Sequence, residues 1–360
     1  MALPGFPRRF ARSSRWAGER PSSPFLQSGL ARAQGCTIFE AQRGKVQPAS
    51  RTLTDCTGVA IETERLSPRY SGIDLWEPSD VLDVMIEGQF AAVAAVRAAR
   101  TAIEDATRAM EQRLVDGGRL IYVGAGTSGR LAVQDGAELM PTFSWPKERL
   151  LLLIAGGDQA LTQAVEGAED ETEHALILVK NHNVGPDDVL IAAAASGTTP
   201  FTLACLRGGK AAGALTIGMA NNPGTPLLTE SDCPIFLDTG AEPIAGSTRM
   251  KAGTAQRIAL NLLSSLLMIR LGRVYEGLMV DVQATNQKLA RRSETMLTHL
   301  TGKSPEEVRI ALDAADGSVK LAVLLLQGCP ADEARDLLTR CGGRLRMALS
   351  QFREGQAARR

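Results

Sequence analysis

The chain has 360 residues, enough for one large α/β domain with a small appendage or for two domains. Its 44% hydrophobic and 22% charged residues are those of an ordinary globular protein, and a formal net charge of zero gives no footprint for nucleic acid. Aromatic residues at 4% are too sparse for base stacking, and six scattered cysteines without a C-x-x-C pair and three histidines without ligand spacing argue against a metal site.

Residues 1–58 carry nine basic residues against three acids, frequent Pro, Ser and Gly, and no amphipathic period. They read as a disordered or misannotated N-terminal extension, with an Arg-rich targeting segment as the sharper alternative; the apolar core of a secretory signal is missing. A helix is expected from Glu77-Pro78-Ser79-Asp80, capped by Ser79 or Asp80. Two alanine-rich helical stretches then run to about Val115 and stop at Gly117-Gly118. Five short apolar runs follow at 120–123, 150–154, 189–194, 214–218 and 234–237, most of them separated by helical patterns. That alternation predicts a parallel sheet covered on both faces, which binds ligands outside the carboxyl ends of its strands. The most apolar stretch, 258–269, is broken by Asn261, Ser264 and Ser265. A membrane span needs roughly 20 apolar residues, so a core or interface helix over about 254–271 is expected instead. A second helix is expected over 282–297. Three short helical patterns follow between 304 and 349, punctuated by Gly317, Gly328-Cys329-Pro330 and Gly342-Gly343. Ser304-Pro305-Glu306-Glu307 opens the first with a cap and a Pro at the first helical position.

Three loops carry chemistry. After the first strand, Gly124-Ala125-Gly126-Thr127-Ser128-Gly129 matches G-x-G-x-x-G. The acid that a dinucleotide site wants about 20 residues later would fall near Phe143 to Trp145, in an apolar segment, so the nicotinamide reading fails on spacing. After the third strand comes Ala195-Ser196-Gly197-Thr198-Thr199-Pro200. Either loop alone could be a tight turn with a helix cap. Two hydroxyl-rich loops at one sheet edge suit a phosphate plus a polyhydroxy body, a sugar phosphate. The third segment, Gly246-Ser247-Thr248-Arg249-Met250-Lys251, places Arg249 and Lys251 at a helix N-terminus against the macrodipole, which an anionic ligand or Glu242 would relieve. Acids complete the set. Asp135 and Glu138 share a helix face, and Glu166, Glu169, Asp170, Glu171 and Glu173 crowd what reads as another helix, with Glu166 and Glu169 on one face. Crowded carboxylates can have a raised pKa, as paired acid/base chemistry requires. The residues alone do not choose among them.

The segments LIYVGAGTSGRLAVQDGAELMPTF, LIAGGDQAL, AVEGAEDE, ASGTTPF, GSTRMKAGTAQR and GLMVDVQATNQKL, with Thr63-Glu64-Arg65-Leu66-Ser67-Pro68 upstream, together resemble the N-acetylmuramic acid 6-phosphate etherases. The resemblance runs in order over about 63–302 and continues more weakly beyond. It implies an α/β sugar isomerase (SIS) fold: a three-layer αβα sandwich with a five-stranded parallel sheet, plus a small C-terminal three-helix subdomain. It divides the chain into a SIS domain with N-terminal helices over 59–302, a helical subdomain over 303–350 and a tail over 351–360. It further implies a cytoplasmic homodimer with its site near the subunit interface, without metal or redox cofactor and without a nucleic acid or membrane partner. The implied reaction opens the D-lactyl ether of N-acetylmuramic acid 6-phosphate by elimination, then hydration, in cell-wall sugar recycling or catabolism.

Carried onto this chain, the family's proton donor falls on Glu138 and its second catalytic acid on Glu169. Thr127, Ser128, Ser196, Thr198 and Thr199 would hold the phosphate and sugar hydroxyls, with Gly126, Gly129, Gly197, Ser247, Thr248 and Lys251 completing the binding set. Two departures stand out. Leu139-Met140 replaces the family's usual pair after the first Glu, and Thr198 replaces the Arg of its Ser-Gly-Arg-Thr-Pro loop, removing a cation. A non-catalytic sugar-phosphate-binding regulator and an aldose–ketose isomerase of the same fold are the alternatives.

Overall fold

The computed structural model describes residues 61–282 and 287–358, so the reading of 1–58 lies outside the described residues. Three single 3-10 turns between Glu62 and Leu75 lead into α1 (Pro78–Ala98) and α2 (Arg100–Leu114). The first helix starts earlier than a Ser79 or Asp80 cap would allow. Pro78 is its first residue and Glu77 precedes it in an extended conformation without a side-chain cap. The fixed φ of proline and its missing N–H make that start favourable on their own.

From there strands and helices alternate: β1 (Leu120–Gly124), α3 (Gly126–Phe143), β2 (Leu150–Ile154), α4 (Thr172–Asn181), β3 (Val189–Ala193), α5 (Pro200–Ala211), β4 (Leu215–Ala220), α6 (Pro226–Glu230), β5 (Cys233–Phe236) and α7 (Lys251–Arg270). The five strands form one parallel sheet in the order β2-β1-β3-β4-β5. Successive residues of a strand point to opposite faces. Leu120 and Tyr122 therefore join Val96, Met110 and Leu263 in a core with α1, α2, α3 and α7. Ile121 and Val123 join Val179, Phe201 and Leu227 in a second core with α4, α5 and α6. Burial on both faces explains why the strands read as unbroken apolar runs. The helix α7 opens three residues before the expected Thr254, because the carboxylate of Glu242 accepts hydrogen bonds from the Lys251 and Ala252 N–H groups at 3.0 and 2.8 Å. Satisfying two orphan donors from outside the helix moves its start upstream.

After α7 a small antiparallel hairpin, β6 (Val274–Tyr275) and β7 (Leu278–Met279), precedes α8 (Gln287–Thr301). The helix begins later than the expected 282. Val280, just before the expected start, packs into the C-terminal core from the connection after β7. Beyond Ser304 the described residues form four helices rather than three: α9 (Pro305–Ala314), α10 (Val319–Leu326), α11 (Ala331–Arg340) and α12 (Leu345–Ala358). Three glycine breaks separate four pieces, and the last helix runs past 349. These helices share a core of their own that includes Met296, Val308, Leu324, Leu337 and Phe352. The capping box at Ser304 is present, with Glu307 N–H donating to Ser304 Oγ at 3.3 Å and Ser304 N–H to Glu307 at 2.9 Å. Among the described residues no helix is long and apolar enough to cross a membrane.

Candidate active site

The turn from β1 into α3 is built on close backbone contact. A Cβ placed on Gly124 or on Gly129 would fall 2.8 Å from the other's backbone, so only glycine lets strand and helix meet there. Gly126 is exposed, with open space around it and a φ of 52° that favours glycine. The helix α3 begins at Gly126, so Thr127 and Ser128 lie in its first turn rather than in a loop before it. Unpaired first-turn N–H groups and the positive end of the helix dipole face outward at this point. Thr127 is half-buried and Ser128 buried, and neither hydroxyl is paired among the described residues.

The β3 strand neighbours β1, with Gly124 opposite Ala193, so the second hydroxyl-rich loop emerges beside the first. Ser196 Oγ accepts the Thr198 N–H at 3.2 Å and lies 3.2 Å from Thr199 Oγ1, a local turn that leads into Pro200 at the start of α5. Gly197 has a φ of 73°, and a Cβ there would stand 2.1 Å from Thr225 Oγ1. The third segment meets the first around Thr127: a Cβ on Gly253 would be 3.5 Å from the Thr127 methyl and 3.2 Å from Thr248 O. Ser247 and Thr248 are half-buried beside this junction. Lys251 is not aimed at a ligand. It is buried, and its ammonium donates to Thr239 O at 2.9 Å and Ala241 O at 2.5 Å. Burial pulls its pKa down, against the opposing charge of Glu242. Glu242 itself is pushed up by burial and held back by the two backbone N–H groups it caps.

Sequence reasoning gave no role to the residues that tie these segments together. Asn222, after β4, donates to Ala195 O at 2.8 Å and to Thr63 Oγ1 at 3.0 Å, and accepts the Thr63 N–H at 3.2 Å. Gly246 N–H in turn donates to Thr63 O at 3.0 Å. Glu64 sits against Gly246, where a Cβ would come within 2.5 Å of its Oε2. The signal available was Asn221-Asn222-Pro223-Gly224 directly after a strand, a turn at the ligand-binding edge.

The acids divide sharply. Asp135 is buried, accepts the Tyr122 hydroxyl at 3.0 Å and lies 3.3 Å from Arg257 Nη1. Burial pushes its carboxyl up, against hydrogen bonds that favour the charged form. Glu138, on the same helix, leaves 58% of its side chain exposed, with Arg257 Nη2 3.9 Å away. It lies ten residues beyond Ser128, or about 15 Å along α3 at the helical rise. The crowded second group is not a helix face. Gly167, at φ 73°, breaks the chain after Glu166, Glu169 lies in the 3-10 turn Ala168–Asp170, Glu171 precedes α4, and only Glu173 is inside that helix. All five are exposed. The turn holding Glu169 packs on α5, and Thr172 just after it lines a cavity with Thr198 and Pro200, so Glu169 stands near the second loop. Thr127, Ser128, Ser196–Thr199, Ser247, Thr248 and Glu169 thus gather at one edge, while Glu138 stands apart along α3. Among the described residues no three His, Cys, Asp or Glu side chains group as a metal site would need.

The glucokinase regulatory protein N-terminal SIS domain family matches residues 99–210, and the SIS domain family matches residues 166–266. A protein of Deinococcus radiodurans described as N-acetylmuramic acid 6-phosphate etherase is 53% identical over 82% of this chain and 96% of its own length. One of the same description from Rubrobacter xylanophilus is 41% identical over 81% of this chain and 97% of its own. A solved phosphoheptose isomerase from Francisella tularensis aligns over 54% of this chain and all of its own, at 20% identity and a TM-score of 0.41.

Proposed function

The chain belongs to the N-acetylmuramic acid 6-phosphate etherase family, and we propose that the carboxyl edge of its sheet holds the sugar phosphate while Glu138 and Glu169 move the protons. Its activity is that of the family, a carbon–oxygen lyase that opens the D-lactyl ether to give N-acetylglucosamine 6-phosphate and D-lactate. The observation that carries this conclusion is the match to the two etherases over 96% and 97% of their own length.

The geometry supports a division of labour. The N-termini of α3 and α5 supply N–H groups and dipoles for a phosphate dianion, and the hydroxyls of Thr127, Ser128, Ser196, Thr198 and Thr199 suit phosphate and sugar oxygens. With the sugar open, the C2 proton beside the aldehyde is acidic. Glu169 is the partner for its removal: the C–H electron pair becomes the C2–C3 double bond as the C3–O bond breaks. Glu138 protonates the departing lactate oxygen. Water then adds across the double bond, hydroxyl to C3 and proton to C2.

Glu138 stands too far along α3 from Ser128 to serve the hydroxyls of its own chain. The same proposal makes the protein a homodimer in which Glu138 reaches the edge of the partner copy. An apolar groove between α1, α2 and α7 supports that arrangement, lined by Val93, Ile103, Ile258, Leu262, Leu266 and Ile269. Leu82, Ile86 and Phe90 extend it as exposed apolar side chains on one face of α1. The reading places the reaction in the cytoplasm and in the recycling of peptidoglycan sugars. The test is release of D-lactate from N-acetylmuramic acid 6-phosphate by the purified protein. The expected result is stoichiometric D-lactate and N-acetylglucosamine 6-phosphate; folded protein that releases none would overturn the reading.

A further inference from the structure

The opposite edge of the sheet carries a second concentration of charge. Leu114 and Val115 close α2 just before β1, Ser144 and Trp145 follow α3, and Arg149 directly precedes β2, so these residues mark the amino ends of the strands. Together with Arg273, the start of α10 and the turn between α11 and α12, they line an open cavity of about 640 Å³. Five cations face it, Arg149, Arg273, Lys320, Arg340 and Arg344, against one lining carboxylate, Asp281.

Their existing partners leave donors free. Arg149 uses Nε and Nη2 on the carbonyls of Gly118 and Leu114. Arg273 uses Nη1 on Phe143 O and Ser144 O, with Asp281 3.4 Å away. Lys320 is buried and pairs with Asp281 at 2.7 Å. Arg344 gives Nη2 to Glu111 at 2.8 Å, and Arg340 is unpaired among the described residues. Arg149 Nη1, Arg273 Nε and Nη2, two Lys320 N–H groups, Arg344 Nε and Nη1 and the whole Arg340 guanidinium remain without a partner among the described residues. The two arginines of the body also stack on one ring: the Arg149 and Arg273 guanidinium carbons lie 4.5 and 5.1 Å from the Trp145 centroid. Burial, and for Arg149 the neighbouring charge of Arg273, disfavours the cationic form of both. A helix N-terminus adds to the same sign of field. Gly342 and Gly343, at φ 58° and 72°, lead into the first turn of α12.

We propose that this amino-edge cavity is a second binding site, for an anion of the phosphate class, distinct from the sugar-phosphate edge. Such an anion bridges Arg149 and Arg273 of the body to Lys320, Arg340 and Arg344 of the C-terminal helices and clamps the two together. Charge-assisted hydrogen bonds from guanidinium groups suit phosphate oxygens, and relief of the crowded cations adds to the attraction.

The test is amide hydrogen exchange on the full chain during titration with inorganic phosphate, ionic strength held constant with sodium chloride. The expected result is slowed exchange over 340–347 and 318–321, by about tenfold at ten times the phosphate Kd. Arg340→Glu, a change at an exposed and unpaired side chain, should abolish that protection and leave D-lactate release without phosphate unchanged. A parallel titration with glycerol phosphate separates the sources. Tighter protection assigns the site to a phosphorylated metabolite, and equal protection assigns it to phosphate itself. Protection confined to 126–129 and 196–199, or full protection of 340–347 in Arg340→Glu, would overturn the proposal, the first of these while leaving the sugar-phosphate edge intact.

Discussion

At the carboxyl edge of the sheet the chain gathers hydroxyls, helix N-termini and exposed carboxylates, and two of the cations near it are tied down. Lys251 is spent on two carbonyls, and Arg130 donates to Ala160 O and Gln163 O. At the amino edge the same sheet is fringed by Arg149, Arg273, Lys320, Arg340 and Arg344 around a single lining aspartate. The difference teaches how one fold would separate the two proposed tasks. On the proposed reading, helix dipoles and hydroxyls would hold the phosphate at the carboxyl edge, beside the exposed acids. Cations suit static recognition and the docking of helices.

Changes at the exposed carboxylates of one edge should therefore alter turnover without stability, and changes at the buried ion pair of the other the reverse. The largest expected effect is on catalysis: Glu138→Ala and Glu169→Ala should each cut kcat by about 10²–10⁴-fold, as for a positioned acid or base, with the unfolding midpoint unchanged because both side chains are exposed. Steady-state lactate assays and thermal unfolding on the same samples read both halves of that statement.

Next comes the amino edge. Asp188, buried before β3, receives Arg119 Nε at 2.9 Å and Nη2 at 2.6 Å. Asp188→Asn should cost roughly 1.5–3 kcal/mol in urea unfolding, the range for a hydrogen bond to a charged group, with kcat unaffected. Burial pushes the Asp188 carboxyl up, but Arg119 and the Gly185 N–H outweigh it and hold the carboxyl below the ordinary aspartate range. Its stabilising contribution is therefore present above the unfolded-state pKa and lost as pH falls through the lower folded value. Urea midpoints measured across the acid range should converge for wild type and Asp188→Asn.

A smaller change separates shape from charge at the carboxyl edge. Gly197→Ala would place a methyl against Thr225 at a positive φ, and should lower stability by about 1–3 kcal/mol, as overpacking does, while raising KM. The smallest effect is expected from Thr198→Arg, which returns a cation to the second loop. KM should tighten roughly two- to fivefold, the span of a partly exposed ion pair, and that gain should shrink in high salt.

The strands were legible because burial on both faces of the central strands leaves short, mostly apolar runs such as Leu120 to Val123, with Thr216 in β4 an exception. Element starts were less legible because distant groups set them. Glu242 caps α7 from nine residues before Lys251. The link between Thr63 and Asn222 spans 159 residues, a separation at which no local pattern exists. The acids failed for another reason. Glu166 to Glu173 look alike in composition, yet Gly167 breaks them into turns, and local chemistry alone gave no reason to single out Glu169. The pair Glu138 and Glu169 came from the family resemblance. Their placement, one along α3 and one beside α5, is what suggests that two copies complete each site.

That suggestion has a direct test. Glu138→Ala and Glu169→Ala chains, carrying different tags, are co-expressed, and the doubly tagged species is isolated for lactate release. Sites shared across a two-fold axis leave one intact site in each mixed dimer. The doubly tagged dimer should then recover about half of wild-type turnover, since a two-fold dimer has two sites. Mixed dimers as inactive as either parent would contradict a site built from two copies.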